Sequence, residues 1–301
     1  MIVACAVGGL GNQMFQYAAA LALARRLDAP LRIDASGYRL YRMRSFQLDK
    51  LTIPAEYLPS EHAKPLLPAR PSATLDLAER MLRRLGRTVS FSRKGIYREP
   101  HFHVDQRFFS LKPPVALHGY FQSERYFASV ADELRGHFRP AMQFAPEAAG
   151  VADMIARAPC PISVHVRRGD YLTAPDAART HGTLDAAYYR RAIDILAARQ
   201  DRNFTVFLFS DAPDEAAGLL DFLPAGKLVV VRGDPAQPWD GMALMARCRY
   251  HVVANSSFSW WGAWLDPTPD KMVIAPRAWF SPDELRTKNT CDLCPEQWIL
   301  V

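Results

Sequence analysis

The second half of the chain alternates short apolar runs with helical segments, and this alternation limits the fold more than any other feature of the sequence. Strands that alternate with helices form a parallel, doubly wound sheet with right-handed crossovers. The carboxyl ends of its strands share one edge, so we expect the loops that follow them to meet in a ligand-binding crevice. The apolar runs, which we predict as buried strands, are 161–166, 204–209, 228–231, 250–254 and 272–275.

The first half opens with a unit of the same kind. An apolar strand at Ile2–Val7, a glycine-rich turn and a helix over 12–27 precede a second strand at Leu31–Asp34. A further strand is predicted at 115–119, followed by a helix that Ser123 caps. The whole chain is therefore predicted to have an α/β fold.

Length and composition indicate two globular domains. The chain has 301 residues, of which 49% are hydrophobic and 23% are charged, and such a chain is able to form more than one core. Pro140 and Pro146 interrupt regular structure, and Pro159 and Pro161 flank the next predicted strand, so we predict domains over 1–150 and 151–301. No cationic region precedes the first apolar residues, and the five cysteines form no zinc-binding set. We therefore expect a cytoplasmic protein in a reducing compartment.

The strongest candidate site is the segment His165-Val166-Arg167-Arg168-Gly169-Asp170, which ends the strand at 161–166. Arginine stays protonated in proteins, so two arginines at the end of a buried strand are costly unless an anion is present. The guanidinium fork suits phosphate because it donates to two oxygens at once. The alternative is a structural ion pair between an arginine and Asp170.

Two more polar loops follow strands of the same half. Asn255-Ser256-Ser257-Phe258-Ser259 begins an aromatic helix, whose amides, hydroxyls and dipole favour an anion; ordinary N-capping by one serine is the alternative. Asp211 is able to accept hydrogen bonds from a guanine edge or a ribose, or to cap the next helix. His165 faces away from its apolar neighbours in the strand and is either a ligand or a packed core residue. Two arginines with a helix N-terminus suit a diphosphate.

The glycine turn supports a second hypothesis. Gly9-x-Gly11, with Asp34 at the end of the next strand, mimics the fingerprint of an NAD-dependent oxidoreductase. The third glycine position, however, holds Met14, and the following amides of Asn12 and Gln13 suit neutral hydroxyls. A non-catalytic nucleotide- or sugar-binding module is a third hypothesis. Neither a D-x-D motif nor a phosphate-binding P-loop is present, so we expect no metal and no ATPase or kinase.

The most basic stretch of the sequence lies between Arg80 and Arg98, within and after an amphipathic helix predicted over 75–85. One interpretation is a solvated helix face. The other is peripheral contact with an anionic membrane at its inner face. The net charge of +6 permits either, and also permits nucleic acid or anionic small molecules as partners.

Four motifs, taken together, resemble those of the bacterial-type α-1,2-fucosyltransferases of glycosyltransferase family 11. They occur in that family's order and cover nearly the whole chain. The motifs are Gly8-Gly9-Leu10-Gly11-Asn12-Gln13-Met14-Phe15-Gln16-Tyr17, Gly119-Tyr120-Phe121-Gln122-Ser123-Glu124, His165-x-Arg167-Arg168-Gly169-Asp170-Tyr171 and Asn255-Ser256-Ser257-Phe258-Ser259-Trp260-Trp261.

The resemblance implies a GT-B-like fold, in which two Rossmann-like domains face a cleft. The C-terminal domain would bind GDP-fucose, and the N-terminal domain would present the acceptor. It also implies an inverting, metal-independent transfer of L-fucose to the 2-hydroxyl of a terminal galactose. The acceptor would be a galactose-terminated oligosaccharide or a lipid-linked glycan, in glycan or O-antigen synthesis, with no cofactor and no nucleic acid.

The resemblance also assigns site residues. Arg167 and Arg168 would contact the diphosphate. Because inversion calls for a base that takes the acceptor proton, we name Asp170 as the candidate catalytic base and Asp176 as the runner-up. The alternatives are that Asp170 holds Arg167 in place, or that departure of the leaving group dominates and no base is required. One departure from the family pattern is Ala212, where a second acidic residue is common after Asp211. The residues expected to bind substrate are Gly11, Asn12, Gln13, His165, Arg168, Asp211, Asn255, Ser256, Ser257 and Phe258.

Overall fold

A computed structural model of the chain describes residues 1–39, 44–58, 95–169, 179–180, 182–199 and 203–301. The chain divides into two compact units. The first comprises Met1–His137 with Cys291–Leu293, and the second comprises Phe138–Thr290 with Cys294–Val301.

The first unit is a parallel sheet with helices. Its strands are β1 (Ile2–Cys5), β2 (Leu31–Asp34), β3 (Glu56–Tyr57), β4 (Ile96–Arg98) and β5 (Val115–His118), and its helices are α1 (Leu10–Arg26) and α2 (Ala131–His137). The strand order is β3-β2-β1-β5-β4, and every pair is parallel. The predicted opening of strand, helix and strand is confirmed. The short strands β3 and β4 were not predicted, because two or three residues carry no periodic signal.

The helix predicted from Ser123 onward is not continuous. Two 3-10 turns, Glu124–Tyr126 and Ala128–Val130, precede α2. The Ser123 hydroxyl accepts a hydrogen bond from the Arg125 amide, so the predicted cap is confirmed, although it caps a 3-10 turn. Between the turns, Phe127 has a non-helical φ of −138° and is fully buried. Burial of this ring therefore accompanies the break in the helix.

The second unit contains a larger parallel sheet. Its strands are β6 (Pro161–Val166), β7 (Thr205–Ser210), β8 (Leu228–Val231), β9 (Tyr250–Val252), β10 (Met272–Ala275) and β11 (Ile299–Leu300). Its helices are α3 (Pro146–Arg157), α4 (Ala186–Ala197), α5 (Pro213–Gly218), α6 (Pro238–Met245), α7 (Ser257–Leu265) and α8 (Pro282–Leu285). The sheet order is β11-β10-β9-β6-β7-β8, again with parallel pairs.

This strand order confirms the predicted doubly wound sheet. The chain moves outward from β6 through β7 to β8, returns to β9 on the other side of β6, and continues outward to β11. The winding direction therefore changes between β6 and β9. In the first unit the corresponding change lies between β1 and β5. Ligands of open α/β sheets bind at such points, beyond the carboxyl ends of the strands.

Helix α3 was not predicted, because Pro146 was interpreted as a loop residue. Proline is favoured at the first position of a helix, where its missing amide proton has no partner to lose, and Pro146 occupies that position. Ala152 and Ile155 of this helix pack against Phe207 and Leu244 in the core of the second unit. The predicted boundary at residue 150 falls inside α3, whereas the two units divide after His137.

The helix predicted over 75–85, and residues 80–94 of the basic stretch, lie outside the described residues. Membrane contact through Arg80–Arg98 stays a prediction. In the described part of the chain, no helix has the length and apolar character needed to cross a membrane.

Candidate functional site

The arginine loop and the serine loop leave neighbouring strands. Strand β6 ends directly before Arg167 and Arg168, and β9 leads into Asn255-Ser256-Ser257. The two strands are paired in parallel, with Ile162 opposite Tyr250. Both loops therefore lie at the carboxyl edge, at the point where the winding direction changes, as the sequence predicted.

The carboxylate of Asp211 holds the arginine loop. Strand β7 pairs with β6 and ends just before this residue. Asp211 Oδ2 lies 3.0 Å from Arg167 Nη1, and Asp211 Oδ1 accepts a 2.9 Å hydrogen bond from the Arg168 amide. The two paired side chains are 20% and 23% exposed. Each carboxylate oxygen of Asp211 therefore accepts from the arginine loop, and the predicted contact of Asp211 with a nucleoside stays a prediction.

Gly169 makes this close approach possible. A Cβ atom at this position would lie 2.7 Å from Asp211 Oδ2 and 3.1 Å from its Cγ. Any other residue would displace the carboxylate that orients Arg167. Asp170 and the runner-up Asp176 lie outside the described residues, so the catalytic base stays a prediction. Within the described chain, the carboxylate that pairs with Arg167 belongs to Asp211.

His165 is a neutral, buried histidine beside the arginines. It is 3% exposed, and its ring lies 5.6 Å from that of Phe258. Burial, helped by the charge of Arg167, lowers the pKa of His165 to about 3, although Asp211 opposes the shift. Among the described residues its Nδ1 atom has no hydrogen-bond partner. Buried polar atoms are normally paired, so this nitrogen is suited to a polar ligand atom.

The serine loop combines capping with an open helix start. The Ser256 hydroxyl accepts a 3.3 Å hydrogen bond from the Phe258 amide, and Ser259 is buried and accepts from the Ala254 amide. The N-capping interpretation is therefore confirmed for Ser256. Ser257, the first residue of α7, is partly exposed. The positive end of the helix dipole and the first amides of α7 remain suited to an anion.

Asn255 is a buried residue that supports this loop through hydrogen bonds to the backbone. It is 2% exposed, and its amide donates to the carbonyls of Trp279 at 3.3 Å and Gly182 at 3.5 Å. The structure thus gives the side chain a supporting position, where a substrate contact was predicted. The reason is burial, which a polar loop pattern does not reveal.

A buried polar triad links the strands that deliver the two loops. His251 Nδ1 lies 2.8 Å from Ser163 Oγ, and His251 Nε2 lies 3.0 Å from Asp266 Oδ2. Burial lowers the pKa of His251 although Asp266 opposes the shift; burial raises the pKa of Asp266, but hydrogen bonds from His251 and Thr268 outweigh this and lower it overall. A neutral His251 therefore donates to an ionised Asp266 and accepts from the Ser163 hydroxyl.

This arrangement is a structural link rather than a nucleophile site. Ser163, His251 and Asp266 are 3%, 0% and 2% exposed, so a substrate cannot reach them. Ser163 belongs to β6, His251 to β9, and Asp266 directly follows α7. The triad joins the elements that carry the arginines and the serines. The triad was not predicted from the sequence, although Ser163 and His251 are each a polar residue within an apolar strand.

The first unit also has two polar side chains, Asn12 and Gln122, in turns beyond the carboxyl ends of its strands. Gly8 adopts a left-handed φ of 81°, and a Cβ there would lie 2.7 Å from Asn12 Nδ2. Asn12 Oδ1 accepts a 2.7 Å hydrogen bond from Gln122 Nε2. Asn12 is partly exposed and Gly11 is buried in the first turn of α1. Asn12 therefore keeps a position suited to substrate, and the substrate contact predicted for Gly11 stays a prediction.

Gln13 has a structural role that the sequence did not indicate. It is fully buried, donates to the carbonyls of Gly8 at 3.0 Å and Ser45 at 2.9 Å, and accepts from the Gln47 amide at 2.9 Å. These bonds occupy its amide, so the predicted substrate contact of Gln13 is not supported. Met14 is also fully buried and fills the space that a dinucleotide fingerprint leaves to glycine.

Three comparisons with known proteins agree. The profile of the family described as "Glycosyl transferase family 11" matches residues 1–300. The chain is 33% identical to an alpha-1,2-colitosyltransferase of Escherichia coli, covering 100% of this chain and 99% of the relative. It is 29% identical to the O-antigen biosynthesis glycosyltransferase WbnK of Escherichia coli, covering 98% of each. It is 25% identical to human galactoside alpha-(1,2)-fucosyltransferase 1, covering 86% of this chain and 63% of that protein.

Solved structures support the fold. A variant of Arabidopsis thaliana FUT1 in complex with GDP aligns with a TM-score of 0.53 at 13% identity, covering 98% of this chain and 74% of that chain. Fucosyltransferase NodZ from Bradyrhizobium aligns with a TM-score of 0.50 at 15% identity, covering 88% of this chain and 92% of that chain. The predicted GT-B-like class, with two Rossmann-like sheets, is confirmed. Because the family profile spans nearly the whole sequence and a full-length relative is 33% identical, the chain belongs to glycosyl transferase family 11.

Proposed function

We propose that the chain is an inverting α-1,2-fucosyltransferase that moves L-fucose from GDP-fucose to the 2-hydroxyl of a terminal galactoside. One observation carries this proposal: Arg167 and Arg168 lie at the same carboxyl edge of the sheet as the start of helix α7 at Ser256 and Ser257, because they follow the paired strands β6 and β9. Fixed cations and helix amides together suit a diphosphate. Membership of a glycosyltransferase family excludes the NAD-dependent oxidoreductase hypothesis.

The proposed chemistry is a displacement at the anomeric carbon. The acceptor O2 forms a bond to C1 of fucose while the bond from C1 to the β-phosphate oxygen breaks, and the electron pair leaves with GDP. Arg167 and Arg168 stabilise the charge that develops on the departing diphosphate. The proton of the acceptor hydroxyl passes to a base, for which Asp170 is our candidate.

Two relatives support the linkage and the acceptor. The names of the colitosyltransferase and of the human enzyme both contain a 1,2-linkage, and the human name contains a galactoside. We therefore infer a galactose-terminated oligosaccharide or a lipid-linked glycan as acceptor. We also infer transfer without a metal, since the arginines supply the fixed charge. Activity that persists in EDTA would support this, and loss of activity in EDTA restored by Mg²⁺ or Mn²⁺ would contradict it.

Arginine variants test the proposal. Arg167→Ala and Arg168→Ala are expected to lower kcat for transfer from GDP-fucose to lactose by about 10²–10³-fold, the usual cost of removing one fixed charge from a transition state. Arg249→Ala is the matched control, because Arg249 is exposed and precedes β9 at the opposite, amino edge. Equal activity of the Arg167 variant and the wild type would refute the phosphate role. An NMR spectrum of the product identifies the linkage.

Colitose is a second candidate for the transferred sugar. The relative that is 33% identical over the full chain is named a colitosyltransferase, and colitose is fucose without its 3-hydroxyl group. Parallel measurements of kcat/KM with GDP-fucose and GDP-colitose decide between the two donors. Turnover with either donor excludes the hypothesis of a non-catalytic binding module.

A further inference from the structure

The turn after β5 presents an aromatic ring at the carboxyl edge of the first sheet. Tyr120 is 47% exposed, whereas Phe121, the next residue, is fully buried. The turn lies where the winding direction changes between β1 and β5. Because one ring is exposed and the next is fully buried, the two rings lie on opposite sides of the backbone.

Glu99 fixes the backbone of this turn. Its Oε2 atom accepts hydrogen bonds from the amides of Tyr120 at 2.7 Å and Phe121 at 3.0 Å. A Cβ at Gly119 would lie 2.7 Å from the same oxygen, so only glycine leaves room for the carboxylate. From the other side, Gln16 Nε2 donates to the Gly119 carbonyl at 3.0 Å. Both the donors and the acceptor of the turn are therefore held by side chains.

The backbone at Phe121 is strained. Its φ is 52°, in the left-handed region that residues other than glycine rarely adopt, at a cost of roughly 1–2 kcal/mol. The ring is anchored among Tyr97, Phe108 and Tyr126, with centroid distances of 6.3, 5.8 and 5.4 Å. Strain that the surrounding structure maintains is concentrated at ligand-binding sites. Here its effect is to hold Tyr120 outward on a rigid turn.

Uncharged hydrogen-bonding groups adjoin this ring in the chain. Gln122 ends the same turn and donates to Asn12 Oδ1 at 2.7 Å. Amide side chains both donate and accept, as do the hydroxyls of a hexose. One face of galactose consists of C–H groups, which pack well on an aromatic face, and its rim consists of neutral hydroxyls.

We infer that Tyr120 is the stacking platform of an acceptor subsite for a neutral hexose of the galactose type, with the Asn12–Gln122 pair binding its hydroxyls. This inference deepens the proposed function and rests on it for the identity of the sugar. Tyr120 is a binding residue in this scheme, and Glu99 is a positioning residue that acts through the turn.

Kinetics at saturating GDP-fucose test the inference. Tyr120→Ala is expected to raise the KM for lactose about tenfold, corresponding to the loss of one aromatic contact. Its Tm is expected to match that of the wild type. Tyr120→Phe is expected to stay within about twofold of the wild type, because the ring makes the contact. Phe109→Ala is the matched control, since Phe109 is another exposed aromatic of the same unit, at 36%.

Direct binding separates this inference from the proposed function. Saturation-transfer NMR with methyl β-galactoside needs no turnover. Binding to the wild type that is lost in Tyr120→Ala and kept in Phe109→Ala supports the subsite, even if transfer from GDP-fucose is not found. Equal binding to the wild type and Tyr120→Ala, or no binding to the wild type, overturns it.

Discussion

Asp211 provides the sharpest test of how the arginine loop works. Its carboxylate joins Arg167 Nη1 at 3.0 Å and the Arg168 amide at 2.9 Å. The Asp211→Asn variant keeps a carbonyl oxygen for the Arg168 amide but loses the negative charge opposite Arg167. Asp211→Ala loses both contacts. If Asp211 orients the arginines, both variants weaken diphosphate binding, and Asp211→Ala weakens it more than Asp211→Asn.

The size of the effect follows from the partial burial of the pair. At 20% and 23% exposure, the ion pair is less screened than a surface pair, yet the cost of desolvation offsets much of its Coulomb energy. A hydrogen bond to a charged group contributes about 1.5–3 kcal/mol. Loss of the Arg167 contact should therefore reduce affinity for GDP by about 10–100-fold, since 1.4 kcal/mol corresponds to tenfold.

A comparison of three nucleotides distinguishes a role of Asp211 in orienting the arginines from a role in recognising the base. Calorimetric titration of the wild type and Asp211→Asn with GDP, GMP and IDP is the assay. We expect Asp211→Asn to lose affinity mainly for GDP and IDP and little affinity for GMP, because the arginines act on the diphosphate. The preference for GDP over IDP, which lacks the 2-amino group, is expected to stay unchanged. Asp214→Asn is the control, because Asp214 forms an exposed ion pair with Arg232.

The opposite pattern would refute this reasoning. If Asp211 contacts guanine, its replacement weakens GMP and GDP equally and abolishes the preference for GDP over IDP. The sequence favoured that result, since a carboxylate after a strand is a suitable partner for a base or a ribose.

Three further predictions concern the same turns and strands. Gly169→Ala would displace the Asp211 carboxylate, whose Oδ2 would lie 2.7 Å from the new Cβ, and should weaken GDP in the same titration; unchanged affinity would contradict the packing argument. Burial raises the pKa of Glu99 to about 7 from 4.5, so its stabilising contribution is complete below pH 4.5 and is lost as pH rises through 7. The Glu99→Gln variant should not show this loss of stability as pH rises. If the difference in Tm between variant and wild type is the same at pH 5 and at pH 8, the prediction is wrong. The pKa of His165 is lowered from 6.5 to about 3, so its contribution is present above pH 6.5 and is lost as pH falls toward 3. Urea unfolding at pH 6.5 and pH 5 should show about 2 kcal/mol of loss from this residue, smaller in His165→Gln.

The sheet and the meeting of its loops were predictable from the sequence because they depend on local patterns. Apolar runs of four to six residues, such as Pro161–Val166 and Thr205–Ser210, identify buried strands. Parallel topology then places the residues that follow them at one edge. The positions of Arg167, Ser256 and Asp211 at that edge follow from these two facts alone.

The roles of individual polar side chains were harder to predict, because burial and partners depend on contacts distant in sequence. Gln13 and Asn255 belong to polar loops, yet each is buried and bound to backbone carbonyls. The ion pair of Asp211 with Arg167 was not predicted, because the two residues follow different strands. Glu99 carried no signal at all, since its partners are amides of a turn that follows a different strand.

The triad of Ser163, His251 and Asp266 shows why such contacts matter for the site. Apolar side chains on β6 and β9 would also fill the core, but they do not fix which residues lie opposite each other. A neutral histidine satisfies both partners in only one tautomer, and only while Ser163 lies beside His251, as the strand register places it. A shift of β9 along β6 would leave buried polar atoms unpaired, at about 1–3 kcal/mol each. The triad therefore penalises any register that would separate the arginines from the serine helix, and the spacing between these two groups is set within the core.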